Sequence, residues 1–153
     1  MPDEHDPEPE HVTRSVDLEA GVDDVWRAVA DPGERALWLD DADAATRRVR
    51  IDEVSDPGAG GARRLVWTWW RPDDEGDAST VAVVVAPRTG GGTRVVVTES
   101  LPAAAPIRAE AGTRAARAAR TPGWAHAVWD HRLLGLELLF LAARAPAHAL
   151  VRV

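Results

Sequence analysis

Cysteine is absent from the 153 residues, so disulfides, thiolate metal sites and thiol catalysis are excluded and stability must come from packing. Lysine is absent as well. All 18 basic residues are arginine, and with the abundance of alanine and valine this reads as the coding bias of a GC-rich bacterial genome, not as a functional choice. Positive charge is the scarcer sign: 25 acidic residues leave a net charge of -7, and the isoelectric point lies near 5.2. A polyanion would be repelled over most of such a surface, which excludes a general nucleic-acid binder. No apolar run approaches the roughly 20 residues that span a bilayer, and the first residues are acidic where a secretory signal is basic, so a cytoplasmic protein is expected. What remains is a chain with 45% hydrophobic residues and seven tryptophans, enough for one domain with a real core.

Residues 1–10 alternate acids with prolines and carry almost nothing to bury, so a disordered acidic tail is expected there. The domain is expected over 11–145, with 146–153 as a C-terminal tail. From His11, Val12, Arg14, Val16 and Leu18 alternate with polar residues, the period of a strand with one buried face. Val22, Val25, Trp26 and Val29 then recur at helical spacing, with Asp23 and Asp24 in the first turn, where the helix dipole favours negative charge. Asp31, Pro32 and Gly33 stop this helix, and a second short one is predicted over Glu34–Leu39.

Four strands joined by turns follow: Arg48–Val54, Arg63–Arg71, Ser79–Ala86 after an acidic loop at Pro72–Asp77, and Arg94–Leu101 after three consecutive glycines. The Ala- and Arg-rich stretch Arg108–Arg120 is left undecided between a helix and a connector. Thr121, Pro122 and Gly123 form a helix start, and Trp124–Arg144 runs on as a long helix. Its inner face is expected to carry Trp124, Val128, His131, Gly135, Leu138, Leu139 and Ala142. A sheet with one apolar face needs a cover, and only this helix is long and apolar enough.

VDLEAGVDDVWRAVADPGERALWL at Val16–Leu39, RRLVWTWW at Arg63–Trp70, STVAVVV at Ser79–Val85 and GGTRVVVTES at Gly91–Ser100 resemble, in that order, the SRPBCC or START-like superfamily. The resemblance is to the branch related to the C-terminal domain of the activator of the heat-shock-protein-90 ATPase, and it covers roughly residues 11–143. It implies an α+β helix-grip fold, with a curved antiparallel sheet wrapped around a long C-terminal helix and two short helices after the first strand. One departure stands out. Only Asp40–Arg47 fills the gap where the branch carries extra strand and turn residues, so an edge strand is either missing or reduced to a loop.

The resemblance further implies a cavity for a small hydrophobic or aromatic molecule between sheet and helix. Trp38, Leu65, Trp67, Trp69, Val83, Val97, Glu99, Trp124, Val128, His131, Gly135 and Leu139 are its candidate lining. Trp129 is a further candidate wall residue, Trp26 is core by position, and Trp70 faces outward. Glu53 is expected to follow Val49 and Ile51 inward, and Glu99 to follow Val95 and Val97.

No catalytic residue, metal or cofactor is assigned. His126 and His131 lack metal-ligand spacing, the Asp40, Asp41, Asp43 cluster lacks the glycine and glutamate of an EF-hand, and the glycine runs join strands instead of opening helices. Arg114, Arg117 and Arg120 are a solvated face more readily than a nucleic-acid contact. Ser15, Ser55, Ser79 and Ser100 have no nucleophile elbow around them. The expectation is a non-catalytic carrier or sensor of a small hydrophobic molecule, with a homodimer left open. The alternative is a polyketide cyclase or aromatase-like enzyme, known in the superfamily, using His131 and Glu99 as an acid–base pair. Co-chaperone activity is weaker, because 153 residues leave no room for the activator's separate N-terminal domain.

Overall fold

The computed structural model describes residues 10–57, 61–101 and 122–144. The expected tails, Glu10 apart, and the Arg108–Arg120 stretch lie outside them. Five strands, β1 (His11–Leu18), β2 (Arg48–Ser55), β3 (Arg63–Arg71), β4 (Asp74–Pro87) and β5 (Thr93–Ser100), form one sheet. Its order is β1-β5-β4-β3-β2, and every neighbouring pair is antiparallel. Three short helices, α1 (Val22–Ala30), α2 (Pro32–Trp38) and α3 (Ala42–Ala45), connect β1 to β2, and the long α4 (Pro122–Arg144) closes the domain. This is the α+β architecture expected, a curved antiparallel sheet with a C-terminal helix across it.

The connecting helices show how local chemistry sets boundaries. Asp31 both ends α1 and starts α2: its backbone N–H bonds to Arg27 while its side chain accepts from the Glu34 N–H, with Pro32 in the first turn. The helix therefore begins two residues earlier than the sequence pattern placed it. Asp41 repeats the device at α3, accepting from the Ala44 N–H at 2.9 Å. The short Asp40–Arg47 segment thus holds a one-turn helix, neither a strand nor a plain loop. At the β3–β4 hairpin, Arg71 pairs directly with Asp74, so β4 starts at Asp74 and the expected acidic loop shrinks to a tight turn.

Inward residues stack in rows across the sheet. Ile51, Trp67, Val81, Glu99 and Val12 are partners in register, and so are Val54, Leu65, Val83, Val97 and Arg14. A bulge between Ile51 and Glu53 shifts β2 by one residue. Because side chains alternate, that single insertion turns Glu53 to the outer face, opposite Val66, and brings Val54 inward. Glu53 accordingly leaves the candidate site.

The β4–β5 hairpin depends on glycine at one point. Gly92 has φ +82°, and a Cβ there would lie 2.4 Å from the Leu18 carbonyl oxygen, whereas Gly90, at φ +91°, has nothing near it. Gly92→Ala should therefore destabilise the fold by roughly 2–4 kcal/mol through backbone strain plus a backbone clash, against about 1–2 for Gly90→Ala. Urea unfolding of the two variants checks this; equal losses would mean that β1 and the hairpin do not approach so closely.

Candidate functional site

The residues expected to line a cavity are for the most part packed into one another. Trp38, Leu65, Trp67, Trp69, Val83, Val97 and Glu99 are all buried. Trp38 donates its indole N–H to the Ala28 carbonyl, which fixes α2 on α1. Trp67 and Trp69 meet edge to face at 5.8 Å, and Trp129 stacks on Trp69 at 6.0 Å. Tryptophan thus fills the space between the sheet and α4.

A carboxylate sits in the middle of this aromatic layer. Glu99 is 1% exposed. Its Oε1 accepts from Ser79 Oγ at 2.5 Å and Trp69 Nε1 at 3.1 Å, and its Oε2 from Trp129 Nε1 at 2.7 Å. Above the rings lie guanidinium groups. Arg132 is centred 5.0 Å from the Trp69 ring and 4.8 Å from Trp129, and Arg47 lies 5.3 Å from Trp69. Beyond them come aspartates: Arg132 bonds Asp41 and Asp43, Arg47 bonds Asp43 and pairs with Asp77, and Arg71 donates to Asp43. Acid, indole, guanidinium and acid therefore alternate from the sheet to the rim.

Burial resists ionisation at Asp43, yet hydrogen bonds from Arg47 and Arg71 and the charges of Arg47 and Arg132 outweigh it, holding its carboxyl far below the usual carboxylate range. At Asp41 burial is likewise outweighed by Arg132 and the Ala44 N–H, and the carboxyl is lowered. Asp43 and Arg71, with Ala42, Thr46, Pro72 and Asp73, also line an open cleft of about 430 Å³. A second cleft of about 460 Å³ lies over Thr13, Arg14, Ser15, Arg94, Val96 and Asp130. Both open to solvent at the rim of the domain.

The inner face of α4 differs from the one expected. It buries Ala125, Trp129, Arg132, Leu133 and Leu136, while His131 and Leu138 are exposed and Trp124, Val128, Gly135 and Leu139 are half-buried. Apolar residues occur on every side of this helix, so spacing alone could not choose a face. The choice is made by Trp129 reaching Glu99 and Arg132 reaching Asp41. His131 consequently points to solvent and forms no pair with the buried Glu99. Gly135 has a packing role instead, bringing α4 close to the Trp38 carbonyl.

Sequence reasoning missed Arg47, Arg132, Asp77 and Ser79, and read Asp41 and Asp43 only as a failed metal motif. Asp43 and Arg47, four residues apart, were a local signal, whereas the pairs Arg47–Asp77 and Arg132–Asp41 join segments that only the fold brings together.

Among the described residues, one part of the apolar face has no cover. The helices pack on β1, β3 and β4, and all eight residues of β2 are exposed. Val49, Ile51 and Val54 pair with the buried Trp69, Trp67 and Leu65, so they continue the core rows on the same face, yet they are 46%, 42% and 61% exposed.

No family model matches the sequence, and no curated protein does. Solved structures do. A protein from Chromobacterium violaceum superposes with a TM-score of 0.53 at 19% identity, over 86% of this chain and 98% of its own. A hypothetical protein from Helicobacter pylori gives 0.56 at 15% identity, over 86% and 88%. An HSP90 activator from Plasmodium falciparum covers 82% of this chain and 96% of its own at 16% identity, with a TM-score of 0.49. Identities this low establish a shared fold and nothing about activity. Among the described residues no helix is long and apolar enough to cross a membrane, and no cluster of side chains could hold a metal ion.

Proposed function

We propose that this protein binds a small hydrophobic molecule without altering it, as a carrier or sensor, and that the molecule lies on the uncovered strip of β2. The strip of Val49, Ile51 and Val54 carries the reading. A single exposed aliphatic residue is ordinary, but three that each extend a buried row form a contiguous patch joined to the core. Covering each is worth on the order of 1–3 kcal/mol. The space beneath α4 is a poorer place for a ligand, since its tryptophans already contact one another.

A cyclase-like enzyme is less well supported. Its acid–base pair would need His131 beside Glu99, and these two lie on opposite sides of the α4 packing surface. The strip itself presents only aliphatic side chains. A co-chaperone role rests on the sequence resemblance alone.

Native mass spectrometry of protein purified from its own host should show a bound small molecule, and Ile51→Asp should strip it. Titration with decanol should change tryptophan emission, because Trp67 lies beside Ile51. A protein that is bare when purified and indifferent to decanol would overturn the proposal.

A further inference from the structure

The described residues include four buried arginines, Arg35, Arg47, Arg63 and Arg132. Three of them are paired twice: Arg47 with Asp43 and Asp77, Arg63 with Asp23 and Asp56, Arg132 with Asp41 and Asp43. Arg35 is the exception. It is 9% exposed, and no carboxylate among the described residues lies within ion-pair distance of it. Its Nη1 donates to the carbonyls of Val29 and Ala30 at 3.0 and 3.3 Å, and its guanidinium carbon lies 5.5 Å from the centre of the Trp67 ring. Burial lowers its pKa, and the charge of Asp31 offsets this only in part. An arginine stays protonated at any physiological pH, so burial without a carboxylate at ion-pair distance leaves a standing electrostatic cost.

The side chain beneath it has a deficit of its own. Trp67 is 0% exposed, and its indole N–H finds no acceptor, whereas Trp38, Trp69 and Trp129 each place theirs. A buried indole donor without a partner is uncommon. A buried indole donor without an acceptor therefore lies beside a guanidinium without an ion pair, and Ile51, at the centre of the exposed strip, is the strand partner of Trp67.

We infer that the ligand is an aliphatic monocarboxylate, its carboxylate taken by Arg35 and the Trp67 N–H and its tail laid along Val49, Ile51 and Val54. This rests on the binding reading above and adds the chemistry of the ligand to it. A carboxylate presents two oxygens in one plane, which suits the unused edge of a guanidinium. One cation and one neutral donor match a single negative charge. A dianionic phosphate would be short of positive charge, with Asp31 acting on the same arginine. The strip extends about 17 Å along β2, room for a chain of medium length, and its β-branched residues offer methyl groups without hydrogen-bonding atoms.

Decanoate and decanol, each below micelle-forming concentration, separate the claims when titrated into the intact protein by calorimetry and tryptophan emission. Decanoate should bind at least tenfold more tightly than decanol. Arg35→Met should remove that preference, weakening decanoate at least tenfold and leaving decanol within twofold, and Arg35→Lys should retain part of it. Equal affinity for acid and alcohol, or Arg35→Met weakening both alike, would overturn the inference while leaving hydrophobic binding intact. Should Arg35→Met not fold, the comparison of acid with alcohol on the unchanged protein decides alone. Binding of neither probe removes the binding reading itself. A dimer in sedimentation that Ile51→Asp dissolves would assign the strip to a second copy of the chain and overturn both.

Discussion

Glu99→Ala should lower the stability of the fold by about 3–5 kcal/mol, and Glu99→Gln should cost nearly as much. The carboxylate accepts from three side chains at once, Ser79, Trp69 and Trp129. Removing it leaves the buried Trp129 indole donor without its acceptor and Trp69 with Ser79 Oγ alone, and it deprives the guanidinium layer above of a nearby negative charge. Glutamine keeps the shape but replaces one acceptor oxygen with a donor nitrogen, which must then face a donor. Urea unfolding at neutral pH measures both variants, and near-ultraviolet circular dichroism reports the Trp69–Trp129 stack directly. Losses below about 1 kcal/mol in both variants would mean that the carboxylate is not held as described.

The difficulty of this site for sequence reading follows from the same geometry. Strand positions were legible because alternation in RRLVWTWWR and GGTRVVVTES fixes which residues share a face, and Trp67, Trp69, Val97 and Glu99 do face inward. Alternation failed at β2, where the extra residue at the bulge reverses Glu53 and Val54, because nothing in RVRIDEVS announces an insertion. It failed again on α4, whose apolar residues surround the helix. There the decision between the expected face, with His131, and the observed one, with Trp129 and Arg132, belongs to polar partners on distant segments. Asp41 is 91 positions from Arg132, and Glu99 is 30 from Trp129. The folded core was thus readable from local pattern, whereas the charged layer over it, apart from the pair Asp43–Arg47 four residues apart, came from pairings that no local pattern encodes. Arg35 stayed hidden for a related reason. Its significance lies in a partner it lacks, which becomes visible only when the other buried arginines are seen to have theirs.

The second large effect is on acid stability. Asp41 and Asp43 ionise in the folded protein at lower pH than an ordinary aspartate, so through the acid range the unfolded chain binds more protons than the folded one. The stability these carboxylates contribute is complete above the unfolded aspartate value, near 4, and is lost as pH falls from there toward their folded values. The urea midpoint should therefore hold steady from neutrality to about pH 5 and then decline continuously below about pH 4. Asp17 and Asp52 are also lowered, through hydrogen bonds from Arg94 and Thr68 respectively, but they lie at the surface, where salt screens them. Asp43→Asn separates the contributions. At pH 7 it should cost about 3 kcal/mol, because Arg47, Arg71 and Arg132 all bond this one carboxylate. Below pH 4 its decline should be shallower than that of the unchanged protein, so that the two stability curves converge as Asp43 in the latter is protonated. High salt should leave this convergence in place, since the network is partly shielded from solvent. Parallel curves at every pH would show that the acid limb arises elsewhere and that Asp43 is not the centre of the charged layer.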